Sequence, residues 1–146
     1  MNVERMRLRN LDIVDAVAAT LPDCTLVFNK RSRFAADESR ANIAFRSGAR
    51  VEGVLYQLAA ASEIVKLDPF EGTPRYYSRE ILPLHTESGM QSGWVYIANP
   101  AAIAQGLLPP RWYLQHLLAG REFLSEEYLA SLHSVSCDEN KQVEPW

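Results

Sequence analysis

The chain has 146 residues, 47% hydrophobic and 23% charged, with a net charge of −3. That length suits one domain with a sizeable core of its own. The composition excludes a disordered chain, and the charge gives no general attraction to nucleic acid. No apolar run approaches the roughly 18 residues of a membrane span. The opening MNVERMRLRN carries arginines with no apolar signal core behind them. Cys24 and Cys137 stand far apart and outside any CxxC spacing. Two reduced thiols in a cytoplasmic protein are the simplest account.

Residues 3–20 read as a helix, with Met6, Leu8, Ile13, Val14, Val17 and Ala18 as a loose apolar stripe. Asn10 could equally divide it in two. Leu21-Pro22-Asp23 reads as a turn, and residues 25–29 as a short strand. Residues 30–50 are the least legible, with a short strand expected at Ile43–Phe45. Lys30, Arg31, Arg33, Arg40, Arg46 and Arg50 there outnumber Asp37 and Glu38. A basic rim that attracts an anionic substrate or nucleic acid is one reading. A solvated loop is the other, and it is favoured because Phe34 and Phe45 are too few and too far apart for a base-stacking platform.

Residues 51–58 form a strand with apolar residues on both faces, so it should be covered on both. Residues 59–67 favour helix, and Pro69 should stop it. The chain must then turn at Asp68-Pro69-Phe70. Phe70 needs burial and should draw the turn into the core, bringing Glu71 with it beside Gly72. A carboxylate with restricted solvent access can carry protons, because burial disfavours its charged form. On the residues alone, an ordinary acidic surface turn is the commoner outcome.

Residues 76–85 and 93–98 read as two strands joined by a hairpin around Ser88-Gly89. Residues 101–108 are a loose helix or a loop. Pro109-Pro110 opens a helix that Gly120 closes, and Ser125 caps the last helix. The expected division is one domain over residues 1–135 and a polar tail over 136–146. His85, His116 and His133 show neither HxxxH nor HExxH spacing, so no metal site is expected. His116, on an apolar helix face, reads as a core histidine. No GxSxG elbow or phosphate-binding glycine loop occurs, and Cys24 lacks a recognisable histidine partner.

The order VEGVLY (residues 51–56), a short helix, LDPFEG (67–72) and a tyrosine-led strand resembles the γ-glutamyl cyclotransferase family. NVERMRLRN near the start and LVFNKRS at 26–32 resemble further elements of that family, as does the C-terminal helical hairpin around Pro110, Gly120 and Tyr128. The resemblance implies an α+β fold: a small mixed, strongly curved sheet or partial barrel flanked by helices. It implies that Glu71 is the catalytic acid/base. Tyr77 and Tyr96 fall where the family places tyrosines beside its site, as substrate-binding residues or as core aromatics. The implied reaction is an intramolecular aminolysis of a γ-glutamyl compound releasing 5-oxoproline, without metal or cofactor. The implied partner is that small molecule, with no nucleic acid and no membrane.

The family also opens with a strand ending in Tyr-Gly-Ser-Asn, whose amides hold the γ-glutamyl group. The sequence given starts where that loop would finish. Two expectations follow: a start further upstream that supplies the loop, or a non-catalytic small-molecule or protein-binding module of the same fold. Either way the sheet should show a gap or exposed edge at that place, which would open a route to a homodimer.

Overall fold

The computed structural model describes residues 1–141 and 143. Helix α1 (Val3–Leu8) is capped by Asn2, whose side chain accepts from the Arg5 amide. The helix ends within two residues of that span, and Asn10 adopts a left-handed φ of 59°. Asparagine tolerates this conformation better than most side chains.

From Ile13 the chain becomes strand β1 (Ile13–Arg31), which pairs antiparallel with β2 (Ser39–Leu58). This corrects the expected helix over 3–20, of which the part after residue 8 is not helical. Ile13, Val14 and Val17 are β-branched, and the intervening alanines permit either state. Pairing decides: Val17 lies opposite Leu55 and Ala19 opposite Gly53. The expected turn at 21–23 is instead a bulge within β1. Pro22 lies opposite Arg50, the register shifts between Pro22 and Cys24, and Asp23 has φ 54°. A bulge accommodates a residue that donates no ladder hydrogen bond. The expected loop over 30–50 is also mostly strand, since only residues 32–38 separate β1 from β2.

After β2 come a 3-10 helix (Ala61–Lys66) and the four-residue α2 (Asp68–Glu71). Pro69 does not stop this segment. It sits in the first turn of α2, where a missing N–H costs nothing. Strands β3 (Tyr77–Thr86) and β4 (Gly89–Ala98) form an unbroken hairpin from Tyr77 opposite Ala98 to Thr86 opposite Gly89. The sheet order is β2-β1-β3-β4, antiparallel throughout, and Thr20 opposite His85 is the one β1–β3 pair. Two hairpins joined at so short a seam make an open, curved sheet. One isolated parallel bridge, Glu38–Leu108, fastens the C-terminal segment beside β2, and another, Pro110–Asp138, ties that segment to itself.

Helices α3 (Arg111–Leu118) and α4 (Glu126–His133) cover β1. Leu114, Leu117 and Leu132 are buried there against Leu26 and Phe28. Ser125 caps α4 by accepting from the Tyr128 amide. Buried Glu52 holds this cap in place, accepting from the Ser125 amide at 2.8 Å and from its hydroxyl at 2.9 Å. Beyond α4, the Asp138 backbone exchanges hydrogen bonds with Pro109 and Arg111. Residues 142 and 144–146 of the expected tail lie outside the described residues. Among the described residues, no helix is long and apolar enough to cross a membrane.

Candidate active site

Glu71 is the last residue of α2, and Gly72 closes the turn with φ 71°. The apolar anchor of this turn is Leu67, with Ile64 one turn earlier. They are 5% and 7% exposed and pack on Leu11, Met6 and Tyr96. Phe70 does not serve that purpose. It stays 40% exposed, beneath the Arg9 guanidinium at 4.8 Å from the ring centre. Leu67 falls on the inner face, so Phe70 and Glu71 point into a cavity instead of the core.

That cavity has a volume of about 410 Å³. Its wall joins α1, loop 32–34, α2, the ends of β1–β3 and α3. Among the described residues Glu71 is its only carboxylate, facing the cationic Arg5, Arg9, Lys30, Arg33 and Arg40. Oε1 of Glu71 accepts from Arg9 Nη1 at 3.0 Å, and the Glu71 side chain is 25% exposed. The desolvated carboxylate expected from sequence is therefore an oriented, ion-paired one at the edge of a water-accessible space.

Tyr77 lines the cavity and is buried, and its hydroxyl donates to Ala41 O at 2.6 Å. Tyr113 accepts from the Ala41 amide at 3.2 Å, so two tyrosines hold one residue of β2. Burial pushes both phenols above their ordinary range. Tyr96 does not line this cavity. Its hydroxyl donates to Asp68 Oδ1 at 2.7 Å, and Arg79 pairs with the same carboxylate at 3.1 Å. Burial first, and Asp68 second, raise the Tyr96 pKa. Tyr77 thus stands in front of the turn and Tyr96 behind it.

Lys30 and Arg40 are nearly sealed, at 4% and 8% exposure. Lys30 lies 5.1 Å from the Tyr77 ring centre, and Arg40 the same distance from Tyr113. Buried Glu38 pairs with Arg40 at 3.0 Å. His116 also lines the cavity, with Nδ1 3.1 Å from the Asn2 side-chain amide. Burial, reinforced by Arg5, depresses its pKa to about 4. It is therefore neutral near pH 7, and Nδ1 accepts from Asn2. Among the described residues, no three His, Cys, Asp or Glu side chains converge to hold a metal.

Three of the five cations, Lys30, Arg33 and Arg40, come from the basic stretch that sequence reading assigned to a solvated loop. Arg5 and Arg9 are four residues apart in a helical segment, a same-face spacing that could have paired them. Tyr113 and His116 carried no signal of their own. A second cavity, of about 340 Å³, lies between β2 and β4 and is lined by Val54, Leu55, Trp94 and Tyr96 among others. These are the two outer strands of the open sheet. Asn42 links them at one end, accepting from the Ala98 amide at 2.8 Å.

The architecture is thus an open, curved antiparallel sheet with an acidic turn facing a cation-lined cavity. A profile of the family described as "Gamma-glutamyl cyclotransferase, AIG2-like" matches residues 2–115. The chain belongs to that family. Among solved structures, one described as "Gamma-glutamyl cyclotransferase" is similar with a TM-score of 0.80 at 22% identity, over 98% of this chain and 87% of that one. A human protein described as uncharacterized, loc79017, is similar with a TM-score of 0.80 at 22% identity, over 97% of this chain and 86% of the other. YkqA from Bacillus subtilis is similar with a TM-score of 0.69 at 20% identity, over 93% of this chain and 51% of that one. These likenesses establish the fold. No curated protein sequence matches.

Proposed function

We propose that the protein is a γ-glutamyl cyclotransferase acting on a small γ-glutamyl compound in the cytoplasm, with Glu71 as its acid/base. The observation that carries this reading is the placement of Glu71. Among the described residues it is the only carboxylate lining the first cavity, on a turn anchored by Leu67 and oriented by Arg9. In the reaction, the substrate's α-amine attacks its own γ-carbonyl. A C–N bond forms, the amine gives a proton to Glu71, and the amide bond to the leaving group breaks. Glu71 returns the proton to the departing nitrogen, leaving a five-membered lactam, 5-oxoproline, and a free amine. One carboxylate between two nitrogens serves both transfers. Ring closure is already unimolecular, so the cavity's further task is to hold the folded-back substrate.

The cationic wall supports this reading, because a γ-glutamyl compound carries an α-carboxylate that Lys30 or Arg40 can attract in a low-dielectric setting. Tyr77 contributes its ring as wall. Tyr96 acts through Asp68 at the start of α2. Glu71→Gln keeps the shape and removes the proton carrier. Measured as 5-oxoproline release from γ-glutamyl amino acids and γ-glutamyl amines, its rate should fall roughly a hundredfold or more. Its melting temperature should stay close to wild type, since a partly exposed ion pair contributes little to stability. Equal rates in the two proteins would remove Glu71 from the chemistry.

A further inference from the structure

The four-residue α2 has a structural problem. Its C-terminal turn is closed: the Glu71 N–H donates to Leu67 O at 3.0 Å, and those of Gly72 and Thr73 donate to Asp68 O at 2.8 and 3.0 Å. Its later carbonyls, those of Pro69 and Phe70, lie beyond the reach of its own ladder, as at the end of any helix. A helix this short cannot hold itself in place, because nucleation alone is unfavourable. Yet the residue whose position matters most is its last.

Arg33 resolves this from across the chain. Its Nη1 donates to Pro69 O at 3.1 Å and its Nη2 to Phe70 O at 3.1 Å. A planar fork with two parallel donors matches a pair of adjacent carbonyls, and a cationic donor makes the stronger kind of hydrogen bond. The guanidinium also lies 5.2 Å from the Phe34 ring centre and 5.8 Å from that of Tyr76. Gly72 makes the approach possible. A Cβ built there would stand 3.0 Å from Arg33 Nη1 and 2.7 Å from Tyr76 Cδ2, at a φ that side chains rarely adopt. The left-handed backbone at this position calls for glycine, and a side chain there would also crowd Arg33 and Tyr76.

We infer that Arg33 is a positioning residue for Glu71: its two donors cap the carbonyls of Pro69 and Phe70 and lock loop 32–38 onto the turn that carries the carboxylate. Arg33 is separated from Glu71 by 38 positions in sequence and is tied to the two residues just before it. The cavity mouth, where Ser32, Arg33 and Phe34 lie, and the acid/base are therefore one mechanical unit. A substrate that presses on the loop presses on Glu71. For catalysis this inference rests on the proposed cyclotransferase reading. The clamp itself does not.

Two measurements on Arg33→Ala and Arg33→Lys, made beside wild type, separate the two claims. The first is amide hydrogen exchange at Glu71, Gly72 and Thr73. In Arg33→Ala it should speed up about tenfold, while the β3–β4 hairpin amides stay unchanged. Unchanged exchange at the turn overturns the clamp, whatever the protein catalyses. The second is 5-oxoproline release. In Arg33→Ala, kcat should fall roughly ten- to a hundredfold with KM little changed, because a misplaced acid/base costs rate and not ground-state binding. Lysine cannot present the fork and should rescue neither property. Added guanidinium ion at millimolar concentration should restore part of kcat in the alanine variant. A selective rise in KM with kcat intact would instead make Arg33 a substrate contact and overturn the positioning role. If wild type releases no 5-oxoproline from any substrate, the cyclotransferase reading fails and exchange alone decides the clamp.

Discussion

The turn at residues 67–72 and the pair of helices α3 and α4 are built on opposite terms. In the helices, Leu114 and Leu132 are 0% and 2% exposed and the interface is apolar. In the turn, Leu67 and Ile64 are buried, but the next residues face outward. They are held by a guanidinium on the carbonyls, another on the carboxylate, and the Arg79–Asp68–Tyr96 network behind. Packing is non-directional and supplies stability. Oriented hydrogen bonds supply position, with little net stability per bond. The helices should therefore answer to stability measurements and the turn to rate measurements.

The largest stability effect should come from Leu114→Ala, which removes a fully buried side chain. It should cost about 2–5 kcal/mol in denaturant unfolding, while the folded fraction keeps its rate of 5-oxoproline release. Leu67→Ala sharpens the contrast, since Leu67 belongs to both sides. It should lose stability at the lower end of that range, about 2 kcal/mol, and lose kcat as well. A variant that lost stability alone would show that the turn's position does not depend on its apolar anchor.

Glu52→Gln should cost about 1 kcal/mol, because the Ser125 amide and hydroxyl that its carboxylate holds then face a weaker acceptor. Burial opposes ionisation of Glu52, but the Ser125 donors and Arg50 outweigh it and lower its pKa below 4.5. Its stabilisation is therefore present above about pH 4.5 and lost as pH falls through the folded value. The variant's unfolding curve should flatten on that acid side.

The effect at His116 appears only on the acid side. Its pKa is about 4 when folded and 6.5 in the ordinary state, so between those values the unfolded chain binds the extra proton. Stability should be complete above pH 6.5 and fall towards pH 4. His116→Gln should remove that slope in melting temperature between pH 4 and 6.5. A retained slope would assign it to other groups.

Strands β3 and β4 were legible because alternation and a Ser-Gly hairpin agree with each other. Helices α3 and α4 were legible because proline, glycine and a serine cap mark their ends. Strand β1 was not. Its alanines and valines satisfy a helical stripe as well as a strand, and only β2 alongside selects between them. The same ambiguity hid β2 before residue 51, where Arg40, which looks solvated, is buried. At the site, Glu71 was legible from the order of segments that resembles the family. Arg33 was not, since nothing local connects it to a turn 36 positions away.

By itself, then, the sequence determined the hairpin, the C-terminal helices, the strand before the acidic turn, and the Glu71-Gly72 pair. The first three rest on interactions between residues close along the chain: caps, turn chemistry and alternation; the last rests on the order of segments that resembles the family. The tertiary structure alone decided that residues 13–22 are strand, that Leu67 and not Phe70 is the anchor, and that five cations from four separate segments face one carboxylate. Those outcomes depend on pairing and packing between distant segments. Their free energies exceed local preferences and leave no periodic trace in the residues that take part.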